Sequence, residues 1–115
     1  MIKFDEIELL ALFDTDKADP TSSNYFGSHD YQFVRTDGAV VILGFNEHAS
    51  DGFVSLSTKM GEVTVAWLSI YNCETIRVLD TQRKQFEMIF DYSPRLRCFV
   101  NLNGPIIMTL SHSDY

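Results

Sequence analysis

Three kinds of side chain in this sequence could bind a metal or act as nucleophiles: a run of aspartates, three histidines and two cysteines. The aspartates Asp14, Asp16 and Asp19 are spaced like the start of a calcium-binding loop. An EF-hand loop that began at Asp14 would need glycine at position 19 and a carboxylate at position 25, where this chain has Asp19 and Tyr25. The run is therefore interpreted as a solvated acidic loop, and a specific calcium site is the less favoured alternative.

The histidines, His29, His48 and His112, stand apart from one another in the sequence. Zinc sites are usually built from histidines and cysteines at close, paired spacings, and this chain has no such pair. Surface histidines are the favoured interpretation, so the sequence predicts no metal and no cofactor.

The cysteines do not form a catalytic motif either. Cys98 alternates with Leu96 and Val100, as a thiol in the core of a sheet does, and the neighbouring Glu74 opposes thiolate formation at Cys73. The chain also lacks the Gly-x-Ser-x-Gly motif of many hydrolases. We therefore expect no catalytic residue and two reduced thiols, with a disulfide between them as the alternative.

The net charge of the 115-residue chain is unevenly distributed. Residues 1–51 carry ten Asp and Glu against three Lys and Arg, whereas residues 52–115 carry six of each, so the whole charge of −7 comes from the first half. Nucleic acids and anionic membranes select clustered Lys and Arg, so neither is an expected partner. The acidic half favours a basic protein partner instead.

The predicted elements change character near residue 30. Residues 4–13 favour a helix, because Phe4, Ile7, Leu10 and Phe13 recur every three residues; a strand is the alternative. From residue 30 the apolar residues alternate, which is typical of half-buried strands. We expect a single domain over residues 1–115, mainly β, forming an antiparallel sandwich or barrel of about seven or eight short hairpin-connected strands. The strands are predicted near 30–36, 39–46, 53–59, 62–71, 75–79, 85–91, 95–102 and 105–111.

Several turns and one strand face are also predicted. Asp37-Gly38 and Asn103-Gly104 suit two-residue hairpins in which both residues have positive φ, and Met60-Gly61 is a weaker third turn. The alternating residues Val63, Val65 and Trp67 are expected to share one half-buried face.

Successive hairpin connections alternate between the two ends of a sheet, and this alternation sorts the charges. One end is predicted to be a strongly acidic rim that carries Asp14, Asp16, Asp19, Asp30, Glu47, Asp51, Glu74, Asp91 and Asp114, against Lys17 and Arg95. The opposite end is predicted to hold Asp37, Glu62 and Asp80, balanced by Lys59, Arg83 and Lys84.

This acidic rim is the predicted partner-binding site. Tyrosine is enriched in protein interfaces, so Tyr25 and Tyr31 are expected aromatic anchors, and Tyr92 is predicted at the same end. The carboxylates expected to contact the partner are Asp14, Asp16, Asp19, Asp30, Glu47 and Asp51.

Small size, acidity, β character and the lack of a catalytic motif resemble the immunity proteins of bacterial toxin systems, including contact-dependent growth inhibition systems. The resemblance implies a non-catalytic inhibitor that occludes the cationic active site of a toxin or nuclease. Asp5 and Glu6 interrupt the apolar N-terminal residues, so no signal peptide is expected and the protein is predicted to stay in the cytoplasm. The alternatives are a small-ligand-binding β-barrel or sandwich, a non-catalytic assembly subunit and, last, an enzyme.

Overall fold

The computed structural model describes residues 2–13, 27–48 and 50–113 of the chain. It contains one short helix followed by eight antiparallel strands, which confirms the predicted fold class. The elements are α1 (Glu6–Phe13), β1 (Ser28–Val34), β2 (Val40–Asn46), β3 (Val54–Met60), β4 (Val63–Ile70), β5 (Cys73–Asp80), β6 (Gln85–Phe90), β7 (Arg95–Asn101) and β8 (Met108–Ser113).

The strands form two four-stranded sheets rather than one closed barrel. The first sheet has the order β1-β2-β3-β4 and the second the order β5-β6-β7-β8, so each strand pairs with its neighbour in sequence. Tyr71 and Asn72 connect the two sheets. Because every connection within a sheet is a simple hairpin, successive connections lie at alternate ends, as the charge argument assumes.

The hydrophobic core lies between the two sheets and is closed on one side by α1. Leu43 of the first sheet and Met88 of the second are fully buried, and so is Leu12 of the helix. The ring of Phe13 lies 5.6 Å from the rings of both Tyr31 and Phe86. This helical side chain therefore joins the two sheets, and burial of a side chain of this size contributes about 2–3 kcal/mol.

The helix begins two residues later than predicted because the chain before it is extended. The backbone N–H of Lys3 donates to Glu74, and the carbonyl of Lys3 accepts from Ile76, both at 2.9 Å. This short parallel pairing extends the second sheet beyond β5. Asp5 then caps the helix, because its carboxylate accepts the backbone N–H of Glu8 at 3.0 Å.

Two predicted turns are wrong in detail. Arg35 N–H donates to Ala39 C=O, and only Gly38 of the Asp37-Gly38 pair has positive φ, so a longer loop replaces the two-residue hairpin. The Asn103-Gly104 pair lies within a loop of six residues between β7 and β8. The tight two-residue turn is instead Gly61-Glu62, one residue later than the weaker predicted turn Met60-Gly61, with Gly61 at a φ of 61°.

The prediction for β4 is also wrong. Val63, Val65 and Trp67 are 64%, 57% and 69% exposed, so this part of the strand is not half-buried. A register shift opposite Thr58 and Lys59 leaves Val65 unpaired. β4 is an edge strand of its sheet. Alternation in the sequence shows which residues share a face of a strand, but it does not show whether the strand lies at an edge or where its register shifts.

Candidate functional site

Three connections and the N-terminal segment meet at one end of the sandwich, which we call the acidic end (residues 2–5, 47–48, 50–53, 71–74 and 91–95). Backbone hydrogen bonds join these segments directly. Asn72 N–H donates to Asp51 C=O at 2.8 Å, and Asp91 N–H donates to Asn72 C=O at 2.9 Å. Ile2 N–H reaches Glu47 C=O at 3.4 Å. The fold thereby brings together four acidic residues of the predicted rim: Glu47, Asp51, Glu74 and Asp91.

Close packing of two backbone segments holds the acidic end together. Gly52 has a φ of 62°, and a Cβ atom on it would lie 2.7 Å from the backbone nitrogen of Cys73. Asn72, on the facing segment, also has a left-handed φ of 65°. Asparagine tolerates this conformation better than most residues, and glycine alone avoids the clash. Gly52 therefore allows the connection after β2 to lie directly against the link between the two sheets.

An open cleft of about 330 Å³ lies at this junction. Its wall includes the backbone around Gly52, the Cys73 thiol and one cationic side chain, Lys3. The carboxylates that line it come from three separate connections: Asp51, Glu74 and Asp91.

The carboxylates at this end differ in how they are partnered. Glu47 lies 3.2 Å from the imidazole of His29, and Glu74 lies 3.4 Å from the guanidinium of Arg95. Asp51 accepts the backbone N–H of Phe53 at 3.2 Å. Within the described part of the chain, neither Asp51 nor Asp91 has a cationic group within 4.0 Å. These two exposed carboxylates are therefore available to cations from outside.

Burial makes the two thiols poor nucleophiles. Cys73 and Cys98 are both free and buried, and burial raises the pKa of each to about 12. The Glu74 carboxylate adds to the shift at Cys73, as the sequence indicated. Neither thiol ionises appreciably near neutral pH, and the two thiols are not joined to each other in the structure.

One carboxylate lies buried on the outer face of the second sheet. Glu87 is 7% exposed, and its Oε1 atom contacts the guanidinium groups of both Arg77 and Arg97. Two arginines around one carboxylate neutralise its buried charge, which is the arrangement expected of a structural ion cluster.

The structure separates the predicted contact residues into three groups. Glu47 and Asp51 lie at the acidic end, whereas Asp30 lies within β1 and is half-buried, with its side chain over Gly44. Tyr31 is 1% exposed, so its expected place as a surface anchor is wrong. Its ring stacks in the core beside His29 and Phe45. The remaining four, Asp14, Asp16, Asp19 and Tyr25, lie outside the described residues.

Burial of Tyr31 follows from its position in the sheet. It lies opposite Leu43 in β2, whose side chain points into the core. Burial, and after it the charges of Glu6 and Glu47, raise the pKa of Tyr31 to about 12. The charge of Glu6, in the first turn of α1, therefore acts on a side chain of β1, although Glu6 was not among the carboxylates of the predicted rim.

The exposed aromatic residues of the acidic end are Tyr71 and Tyr92, with Phe53 half-buried beside them. The Phe53 and Tyr71 rings lie 5.1 Å apart, and the Tyr92 hydroxyl donates to the Tyr71 carbonyl at 3.1 Å. Tyr92 was predicted at this end, but Phe53 and Tyr71 were missed. All three adjoin strand ends, which is the sequence signal that could have found them.

The opposite end of the sandwich, which we call the balanced end (residues 35–39, 59–62, 80–84 and 102–107), has ion pairs that lie within single connections. Arg35 lies 3.2 Å from Asp37, and Arg83 lies 3.8 Å from Asp80, in each case within one connection. Arg35 also donates to the carbonyl of Leu102, which joins the two sheets at this end. The hydrogen bond from the backbone N–H of Ala39 lowers the pKa of the Asp37 carboxyl. The side-chain hydrogen bond and the charge of Arg35 lower this pKa as well.

Two kinds of feature are absent from the part of the chain that the structure describes. Among residues 2–13, 27–48 and 50–113, no group of three or more His, Cys, Asp or Glu side chains is arranged to hold a metal ion. Over the same residues, no helix combines the length and apolarity that a membrane span requires.

Comparison with known proteins identifies a fold but no sequence family. No protein-family model matches the chain, and no curated protein matches it. A solved structure that is similar is one chain of a contact-dependent growth inhibition toxin–immunity protein complex from Klebsiella pneumoniae 342. The match has a TM-score of 0.71 and 15% sequence identity, and it covers 97% of this chain and 96% of that chain. The resemblance drawn from composition is thus supported at the level of the fold.

Proposed function

We propose that this protein is an immunity-type inhibitor that binds and neutralises a basic protein partner, such as a bacterial toxin or nuclease, in the cytoplasm. The observation that carries the proposal is the gathering of Glu47, Asp51, Glu74 and Asp91 at one end of the sandwich. The shared fold with a chain of a toxin–immunity complex supports the same class of function.

The proposed mechanism is occlusion rather than catalysis. A cationic active site would be attracted by the excess negative charge of the acidic end, which would speed association and favour one orientation. The exposed rings of Tyr71 and Tyr92 would supply apolar contact area beside the carboxylates. The open cleft, with Asp51 and Asp91 on its wall, could accept a lysine or arginine side chain of the partner.

The proposed site keeps the predicted residues that the structure places at this end and adds new ones. Asp51 and Glu47 remain proposed contacts, and Glu74, Asp91, Tyr71 and Tyr92 join them. The carboxylates Asp14, Asp16, Asp19 and Asp30 and the ring of Tyr25 remain proposals that follow from the sequence alone.

The experiment compares two matched charge reversals, Asp91→Lys at the acidic end and Glu62→Lys at the balanced end. Both side chains are exposed, and each change alters the net charge by two. The partner is isolated from source cells on the immobilised protein, identified, produced separately and tested for toxicity in a bacterial host. Coexpression of the wild-type protein should restore growth.

Association rates then locate the interface. Asp91→Lys should slow association about tenfold at low salt, whereas Glu62→Lys should change it less than about twofold, because rim charges act mainly on encounter. The difference should shrink at physiological salt, where exposed charges are screened over about 8 Å. Equal effects of the two reversals would contradict the acidic end as the binding site.

A further inference from the structure

The strand β4 has an unusual surface for the edge of a sheet. Val63, Val65 and Trp67 are each more than half exposed, and Thr64 and Ala66 between them are exposed too. The eight residues of β4, VTVAWLSI, contain no charged side chain and no proline. Natural edge strands usually carry charges or prolines that prevent pairing with other chains. This edge therefore has the composition of a strand that is covered when the protein acts.

The exposed edge is continuous with the acidic end. Trp67 and Ser69 alternate along the outer face of β4, and Tyr71 follows on the same face, where its ring meets Phe53. The four residue-to-residue steps from Trp67 to Tyr71 span about 13 Å of extended chain. A standard interface of about 800 Å² per partner has a radius of roughly 16 Å, so one partner centred near Tyr71 would reach Trp67.

A second copy of this chain is a poor occupant. Val63 lies opposite Met60 and Trp67 lies opposite Ser57, and the register shift between them places Val63 and Trp67 on different faces of the sheet. In a symmetric antiparallel pairing of two β4 strands centred on Val65, Val63 of one copy would lie opposite Trp67 of the other. Directly opposed residues share a face of the sheet, and these two do not, so this pairing is disfavoured. Two chains of charge −7 would also repel each other.

We propose that β4 is the second half of the partner interface and binds an extended, arginine-bearing segment of the basic partner along its open edge. The backbone of the segment would pair with β4, its apolar residues would cover Val63 and Val65, and an arginine would stack on Trp67. The inference rests on the proposed function, because the acidic end supplies the charge that selects a basic segment.

Trp67 is the single tryptophan of the chain, so intrinsic fluorescence reports directly on this surface. The test titrates the full-length protein with a ten-residue peptide of alternating arginine and valine, labelled for anisotropy. Nona-arginine serves as a peptide of high charge and low strand propensity. The alternating peptide should shift Trp67 emission to shorter wavelength and reduce its quenching by acrylamide, and nona-arginine should bind without this shift.

Two variants each place a lysine on an edge strand, Val65→Lys on β4 of the first sheet and Leu110→Lys on β8 of the second. Both side chains are exposed, so thermal melting should show that both variants fold. Val65→Lys should weaken binding of the alternating peptide about tenfold, and Leu110→Lys less than about twofold. Both changes add the same charge, so the difference measures the location of the peptide.

Three other results of these experiments would contradict part of the proposal. Binding of the alternating peptide without any change in Trp67 emission would overturn the β4 proposal and leave the acidic end standing. Binding of neither peptide would contradict the acidic end as well. A concentration-dependent dimer that Val65→Lys converts to a monomer would show that a second copy covers this edge.

Discussion

The acidic end and the balanced end are both made of strand connections, but they use their carboxylates differently. At the balanced end, Asp37 and Asp80 accept backbone N–H groups of their own turns and pair with arginines of the same turns. At the acidic end, the Asp91 carboxylate has neither kind of partner within the described residues. Asp37 and Asp80 therefore stabilise their own turns, whereas Asp91 has no such role within the described residues.

This difference explains how the protein could concentrate negative charge without losing its fold. The balanced end stabilises its own turns, and the Arg35 bond to Leu102 joins the two sheets there. The acidic end is held by backbone packing around Gly52 and Asn72 instead, which needs no cation. Exposed like charges in water interact weakly, so a well-packed backbone can hold several carboxylates close together.

The largest expected effect comes from comparing one glycine at each end. Gly52 and Gly61 have nearly identical φ values of 62° and 61°, but a Cβ on Gly61 would meet nothing within 4 Å. Gly52→Ala should lower the free energy of unfolding by about 3–5 kcal/mol, because strain and a backbone clash add. Gly61→Ala should cost about 1–2 kcal/mol from strain alone. Urea unfolding measures both, and equal losses would contradict the role of close packing at the acidic end.

Alkaline pH should lower the stability of the fold, and the Cys73 thiol at the acidic end is one cause. The pKa of Cys73 is raised from 9.0 to about 12 in the folded protein, so the folded state prefers the protonated thiol. The contribution is complete below pH 9.0 and is lost as pH rises through about 12. A thiol pKa raised from 9.0 to about 12 corresponds to a contribution of about 4 kcal/mol to the free energy of unfolding, as an upper bound.

Unfolding free energies measured at intervals from pH 8 to 12 should therefore fall in the wild-type protein. Cys98 and Tyr31, whose pKa values are also raised to about 12, should add to the fall above their ordinary values of 9.0 and 10.0. Cys73→Ala should lose less stability over the same range because its thiol is absent. A wild-type and a variant curve with the same slope would show that Cys73 is not the group responsible.

The smallest effect should come from removing one carboxylate at each end. Asp37→Ala should lower stability, because it removes the acceptor for Ala39 N–H and the partner of Arg35. Asp91→Ala should leave stability unchanged. Since the pKa of Asp37 is lowered, its contribution is present above its ordinary value of 3.8 and disappears as pH falls through the lowered pKa. Thermal melts at pH 7 and at strongly acidic pH test this, and a loss of stability in Asp91→Ala would remove the distinction between the ends.

Much of the fold could be predicted because it depends on local patterns. Alternation from residue 30 identified all eight strands, and the order of hairpins placed residues 47–52 and 72–74 at one end. The turns were predicted less well. Asp37-Gly38 and Asn103-Gly104 have the composition of tight hairpins, but Arg35 and Leu102 contact each other across the sheets and favour longer loops.

By itself, the sequence determined the β class, the strand order along the chain and the location of the charge in residues 1–51. These properties depend on side-chain period and composition, which are local. Only the tertiary structure decided that Tyr31 is buried, that the charge of Glu6 in α1 acts on Tyr31 and that Trp67 is exposed. The reason is that a period shows which residues share a face of a strand. Whether that face is covered depends on the strand's place in its sheet and on distant elements that pack against it.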